Sequence, residues 1–148
     1  MKKINNKILF VSLIVILSVL LDQVTKMVAF IQKDKIGDGI KILDFFNIVY
    51  VENRGISFGI FSSLDASFYL GILSFLISGY IIFVIKMTKE FWEIIGLSLI
   101  LGGALGNGLD RIINNYVIDF FDFYFNEFHW PAFNLSLIHI SEPTRQLC

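Results

Sequence analysis

The sequence predicts an all-α membrane protein, a bundle of transmembrane helices that carries a small β-cradle on its outward face. Three observations predict it. Of the 148 residues 55% are hydrophobic and sixteen are Phe, with a mean hydropathy of +0.71, and a soluble domain of this length could not hide so much apolar surface. Uncharged apolar runs recur at spanning length. The polar residues within or beside those runs gather at one depth.

The first element is the apolar segment Ile8 to Ile31, preceded by Lys2, Lys3 and Lys7. A cleaved signal peptide would begin in the same way. No small-x-small cleavage site follows Leu21, however, and apolar character resumes at Met27 after Asp22-Gln23-Val24-Thr25-Lys26. Read as one helix it is about 36 Å long at ~1.5 Å per residue, which is enough to span. The second run is Phe68 to Ile85, closed by Lys86 and Lys89, and the third is Ile94 to Leu109. Gly102 and Gly106 lie one helical turn apart in the third run, a small-xxx-small pattern that lets a neighbouring helix approach closely. A nucleotide-binding loop is a poor reading of these glycines, because they lie inside an apolar span with no strand before them.

Basic residues orient the bundle. Lys2, Lys3 and Lys7 at one end, and Lys86 and Lys89 in the link between the second and third spans, belong on the cytoplasmic side. Residues 32–67, and everything after Asp110, are then expected outside. That outer segment combines a turn signal, Gly37-Asp38-Gly39, with a strand-like piece, Asn47-Ile48-Val49-Tyr50-Val51, hence the cradle at the outer membrane surface. A net charge of −1 offers nucleic acid no basic stripe. One cysteine, Cys148, and two late histidines give neither a disulfide framework nor a metal-ligand spacing. No cofactor is expected.

The polar residues need an explanation, since ionisable groups near hydrocarbon are costly and usually face a bundle interior or cavity. Asp22 and Lys26 share a helix face in the outer third of the first span, where an orienting ion pair accounts for both. Asn107, Asp110 and Arg111 close the third span, and Glu52, Asn53 and Arg54 lie in the outer segment. Asp110 and Arg111 are consecutive, so each must bond elsewhere. Asp119 lies in the apolar run Tyr116-Val117-Ile118-Asp119-Phe120-Phe121, where desolvation would raise its pKa and suit it to acid–base chemistry. Peptide hydrolysis by carboxylates needs two that share one proton. Asp122, an odd number of residues along a strand, would face the other way.

In order along the chain, LDQVTK (21–26), NIVYVENRGISFGIF (47–61), GGALGNGLDRI (102–112), VIDFFDF (117–123) and HWPAFN (129–134) resemble the lipoprotein signal peptidase family, also called signal peptidase II. The resemblance implies a bacterial inner-membrane aspartic endopeptidase with four transmembrane helices and an outward-facing β-cradle. Such enzymes remove signal peptides from diacylglyceryl-modified prolipoproteins, cutting before the lipidated cysteine, and globomycin inhibits them. Carried over, it makes Asp119 one catalytic aspartate. Asn107, Asp110 and Arg111 match N-x-x-D-R, with Arg111 binding a substrate carbonyl, and Asn53 and Gly55 match N-x-G beside the substrate. Asp22 and Lys26 match the first-helix pair that organises the site. Asn134 opens the motif N-x-A-D, whose Asp is the second catalytic residue.

That motif departs from the family here, because Asn134-Leu135 is followed by Ser136 and Leu137. An isobutyl group at position 137 can neither give nor take a proton. The remaining segment, 135–148, is roughly 21 Å even if wholly helical, short of a ~30 Å core, so the family's fourth span is not expected in it. SLIHISEPTR looks like translated adapter sequence. The expectation is therefore a signal peptidase II-like membrane domain over 1–134, with spans of about 8–31, 68–85 and 94–109, then a non-native tail from a foreign junction or a frameshift. Such a chain would be inactive as written. Two rivals stand beside this reading. One is a non-enzymatic scaffold or transporter component using the polar layer for packing or an ion path, and the other is a Ser/Lys peptidase built on Lys26 and Ser57.

Overall fold

The computed structural model describes residues 2–55 and 66–136, so Ser57, Leu137 and the rest of the tail lie outside the described residues. Among the described residues three helices are long and apolar enough to cross a membrane: α1 (Lys2–Ile31), α3 (Ala66–Met87) and α4 (Phe91–Asn114). A single turn, α2 (Lys33–Ile36), follows α1. Four strands, β1 (Ile40–Leu43), β2 (Phe46–Asn53), β3 (Val117–Phe125) and β4 (Phe128–His129), form one antiparallel sheet in that order.

The helix α4 lies between α1 and α3 and packs on both. Its glycines make this possible. A Cβ on Gly102 would lie 2.6 Å from Ser18 Cβ, and one on Gly106 would lie 2.7 Å from Asp22 Oδ2. The two small positions of α4 thus receive Ser18 and Asp22, also a turn apart, so the small-xxx-small pattern is the contact between α1 and α4. On the other side Gly108 meets Ser74 and Phe75 of α3. Ile81, Ile85 and Leu101 form the core cluster between α3 and α4, with Val11 and Val15 of α1 against it. At the opposite end of the bundle from the sheet, Lys7 Nζ donates to the carbonyls of Ile85 and Thr88, each at 2.5 Å. This satisfies acceptors that the end of a helix otherwise leaves open.

The helix α4 continues past Leu109, where the uncharged run ends, to Asn114. It stops only where Asn115 turns left-handed (φ 61°) and returns its N–H to the Arg111 carbonyl. A charge ends an apolar run but not a helix. Asp110 stays in the helix because a lysine from α1 meets it there. After Asn115 the chain enters β3, whose Asn53↔Val117 and Val51↔Asp119 pairing with β2 lays the sheet across the ends of α1 and α4.

Candidate active site

Two hydrogen-bonded groups meet where the helices end. The first surrounds Lys26 on α1. Its ammonium donates to Asp22 Oδ2 at 2.6 Å, Asp110 Oδ2 at 2.7 Å and Asn107 Oδ1 at 2.7 Å. All three donors are used, and Lys26 and Asp22 are almost fully enclosed. The i,i+4 pair expected from spacing is present. The second carboxylate, Asp110, comes from α4 and has the same separation from the ammonium within 0.1 Å. Gln23 Nε2 adds a bond to Asp110 Oδ1 at 3.1 Å.

The second group surrounds Asp119, which is 2% exposed. Asn53 Nδ2 donates to its Oδ2 and Asn134 Nδ2 to its Oδ1, each at 2.8 Å. These amides arrive from both flanks of β3. Asn53 is opposite Val117, two residues from Asp119 and so on the same face of the sheet. Asn134 arrives on a return segment after the hairpin of β3 and β4. There the Phe133 N–H donates to the Phe121 carbonyl at 3.0 Å and the Phe121 N–H to the Phe133 carbonyl at 2.8 Å. Burial pushes the Asp119 carboxyl above the usual carboxylate range. The Asn53 and Asn134 amides and the charges of Lys26 and Arg111 oppose that shift without cancelling it.

Asn107 joins the groups. Its Oδ1 accepts from Lys26 and, at 3.2 Å, from Asn134 Nδ2. Asn134 is turned by a further contact, the Ser136 N–H on its Oδ1 at 2.9 Å. Gly55 closes the site on the β2 side. Its N–H donates to Asn53 Oδ1 at 2.7 Å, and its φ of 94° is one that a side chain rarely adopts. Arg111 lies beside Asp110 and Asp119, and its Nε is buried with no hydrogen-bond partner among the described residues. A buried guanidinium N–H without an acceptor is rare.

All nine residues singled out in the sequence lie in or beside these two groups. Asp122 does not join them. It is buried on the other side of β3, between Asn47 Nδ2 at 3.0 Å and His129 Nδ1 at 2.9 Å. Sequence reasoning missed two members of the site. Gln23 carried a weak signal as a polar residue within a span. Ser136, fully buried, donates its hydroxyl to Asp22 Oδ1 at 2.7 Å, although it stands beyond the expected junction. No group of three His, Cys, Asp or Glu that could hold a metal ion occurs among the described residues.

Three membrane-length helices and a small sheet, closed over a buried carboxylate, define a class: a small multi-pass membrane enzyme. The sequence profile of signal peptidase (SPase) II matches residues 14–141, and the chain belongs to that family. It is 42% identical over 127 residues to the lipoprotein signal peptidase of Thermodesulfovibrio yellowstonii, covering 84% of this chain and 82% of that one. With the lipoprotein signal peptidase of Maridesulfovibrio salexigens it shares 36% over 141 residues, covering 91% and 90%. Two solved bacterial membrane enzyme structures, both obtained by the in meso method, superpose with TM-scores of 0.75 and 0.77 at 27% identity. Each covers 93% of this chain, and the chain covers 84% and 89% of theirs.

Proposed function

We propose that Asp119 is a catalytic aspartate of a membrane endopeptidase whose substrates are diacylglyceryl-modified prolipoproteins, cut before the lipidated cysteine. The observation that carries this reading is the Asp119 carboxyl itself, sealed from water with one amide on each oxygen and a pKa raised by burial. A carboxyl whose pKa is raised by burial holds a proton more readily and can exchange it with a water or a leaving amine, which an ordinary surface Asp does poorly. The Arg111 Nε, which has no partner among the described residues, offers a donor to a substrate backbone carbonyl. Asn53 and Gly55 border the path beside Asp119, while Asp22, Lys26, Asn107 and Asp110 hold the frame and Asn134 holds Asp119. The protein is a multi-pass protein of the bacterial inner membrane, and the lysine distribution favours a cytoplasmic N-terminus with the site at the outer face.

Hydrolysis by this route needs a second carboxyl. One ionised Asp activates water while the protonated one assists at the carbonyl or the amine. Leucine at position 137 cannot take that part, so the chain as written is inactive. The test compares this chain with a restored version carrying Leu137→Asp followed by an apolar span, assayed by the mobility shift of a lipid-modified precursor. The restored enzyme cuts, the chain as written does not, and Asp119→Asn in the restored enzyme lowers the rate by roughly 10⁴-fold or more. Cutting that survives Asp119→Asn would overturn the reading and favour the Ser/Lys peptidase alternative, whereas a restored chain that folds and never cuts would favour the scaffold or transporter.

A further inference from the structure

The chain changes register as it returns from β4. That strand sets Phe128 opposite Phe125 and His129 opposite Tyr124. Continued regularly, the same register would bring Ala132 opposite Phe121. Phe133 stands there instead, one residue later, and exchanges both backbone bonds with Phe121. The extra residue falls in Trp130-Pro131-Ala132, where Pro131 has no N–H to offer the ladder. The choice of register matters, because a slip of one residue turns the side chains that follow to the opposite face. Asn134, which donates to Asp119 Oδ1 at 2.8 Å, is the next residue along. Apolar packing does little to fix the choice, since β4 has two residues, and Phe128 and Trp130 are 65% and 64% exposed.

One pair of side chains spans this step. Asp122 and Tyr124 share a face of β3, so His129, opposite Tyr124, is the diagonal neighbour of Asp122. Its Nδ1 lies 3.0 Å from Asp122 Oδ1 and 2.9 Å from Oδ2. A carboxylate only accepts, so Nδ1 is the ring nitrogen that carries the hydrogen. The ring stacks on Tyr124 at 5.1 Å, and Asn47 Nδ2 of β2 donates to Asp122 Oδ2 from the other flank at 3.0 Å. Asp122 is thus a carboxylate, 6% exposed, that the proposed hydrolysis does not use. We propose that His129, acting through Asp122, is a positioning residue that locks the register of the return segment and so keeps the Asn134 amide on Asp119. Its bearing on catalysis rests on Asp119 being the catalytic aspartate, whereas its bearing on the Asp119 carboxyl does not. A staple that only held the sheet together would change the unfolding of the chain and leave Asp119 in the folded protein as it was.

The test follows Asp119 itself in the full chain, labelled with carbon-13 aspartate, held in detergent micelles and titrated by infrared spectroscopy. Subtracting Asp119→Asn in each background isolates the Asp119 band. His129→Leu frees the return segment. The Asn134 amide favours the ionised carboxylate, so its departure should make Asp119 hold its proton about threefold or more tightly. His129→Asn, whose amide nitrogen stands in the place of Nδ1, should keep the parent titration. An unshifted Asp119 in His129→Leu would overturn the proposal, leaving the pair a staple of the sheet. An equal shift in His129→Asn would also overturn it, because the Nδ1 donor would then not be what positions the segment. Should His129→Leu fail to fold, His129→Ser, polar but too short to reach Asp122, is read in its place with the same outcomes. The titration needs no cutting. Cleavage that survives Asp119→Asn in the restored enzyme would remove the catalytic reading and leave this coupling, and a flat titration would do the reverse.

Discussion

Replacing Lys26 by methionine tests the arrangement at its most enclosed point. Lys26 is 3% exposed, and its ammonium is shared by Asp22 at 2.6 Å and Asp110 at 2.7 Å, themselves 1% and 8% exposed. Methionine fills the stem but leaves two carboxylates without their cation and Asn107 without one of its donors. Removing one partner of a buried ion pair costs about 3–5 kcal/mol, and a lost hydrogen bond adds about 1 kcal/mol, so a loss of about 5 kcal/mol is expected. This is a large share of the ~5–15 kcal/mol that holds a domain folded. The assay is unfolding by SDS titration in mixed micelles, followed by far-UV circular dichroism. A triple variant, Lys26→Met with Asp22→Asn and Asp110→Asn, should recover to within about 2 kcal/mol of the parent, because it removes the stranded charges as well as the ammonium. A loss below about 1 kcal/mol for Lys26→Met alone, the range of a solvated surface pair, would refute the reasoning.

Close packing of α1 on α4 makes Gly106→Ala costly, by about 1–3 kcal/mol, because the new Cβ would lie 2.7 Å from Asp22 Oδ2. Gly79→Ala meets nothing within 4 Å and should leave stability unchanged or raise it by up to about 1 kcal/mol in the same titration. Asp119 predicts a pH dependence. Its folded pKa lies above the unfolded one, so between the two values the folded chain binds more protons, and its contribution to stability falls as pH rises through that window. The unfolding free energy of the parent relative to Asp119→Ala should therefore decline with rising pH across that range, and a rising difference would reverse the sign. Asn53→Ala removes an amide that favours the ionised form, so the Asp119 carboxyl should titrate higher still, read by infrared spectroscopy of carbon-13-labelled aspartate.

The helices were legible because hydrocarbon leaves a chain few options: an apolar run of spanning length must satisfy its backbone internally, and a helix does so. The cradle was legible in outline from Gly37-Asp38-Gly39 and the alternating strand after it. The wiring between elements was not. Asp22 could be paired with Lys26 from spacing alone, but Asp110 reaches the same ammonium across 84 residues, and only the glycine-lined contact of α1 with α4 brings them together. Asn134 is placed by backbone bonds between Phe133 and Phe121, which no local pattern announces. Ser136 was discounted because its neighbours look foreign, yet its hydroxyl and its N–H are both committed, to Asp22 and to Asn134.

These long-range bonds decide how the two halves of the site depend on each other. The Asn107 oxygen accepts from both Lys26 and Asn134, and its two lone pairs are thereby filled. Asn134 in turn places its amide on Asp119. A disturbance of the Lys26 group is therefore felt at Asp119 through two side-chain amides, without any change in the sheet. Lys26 also acts on Asp119 directly, as a positive charge that favours the ionised carboxylate. Loss of the ammonium removes that charge and loosens the amide that steadies Asp119, and both effects act in one direction. The Asp119 carboxyl becomes harder to ionise, so the frame residues control the proton affinity of the group proposed to carry hydrolysis.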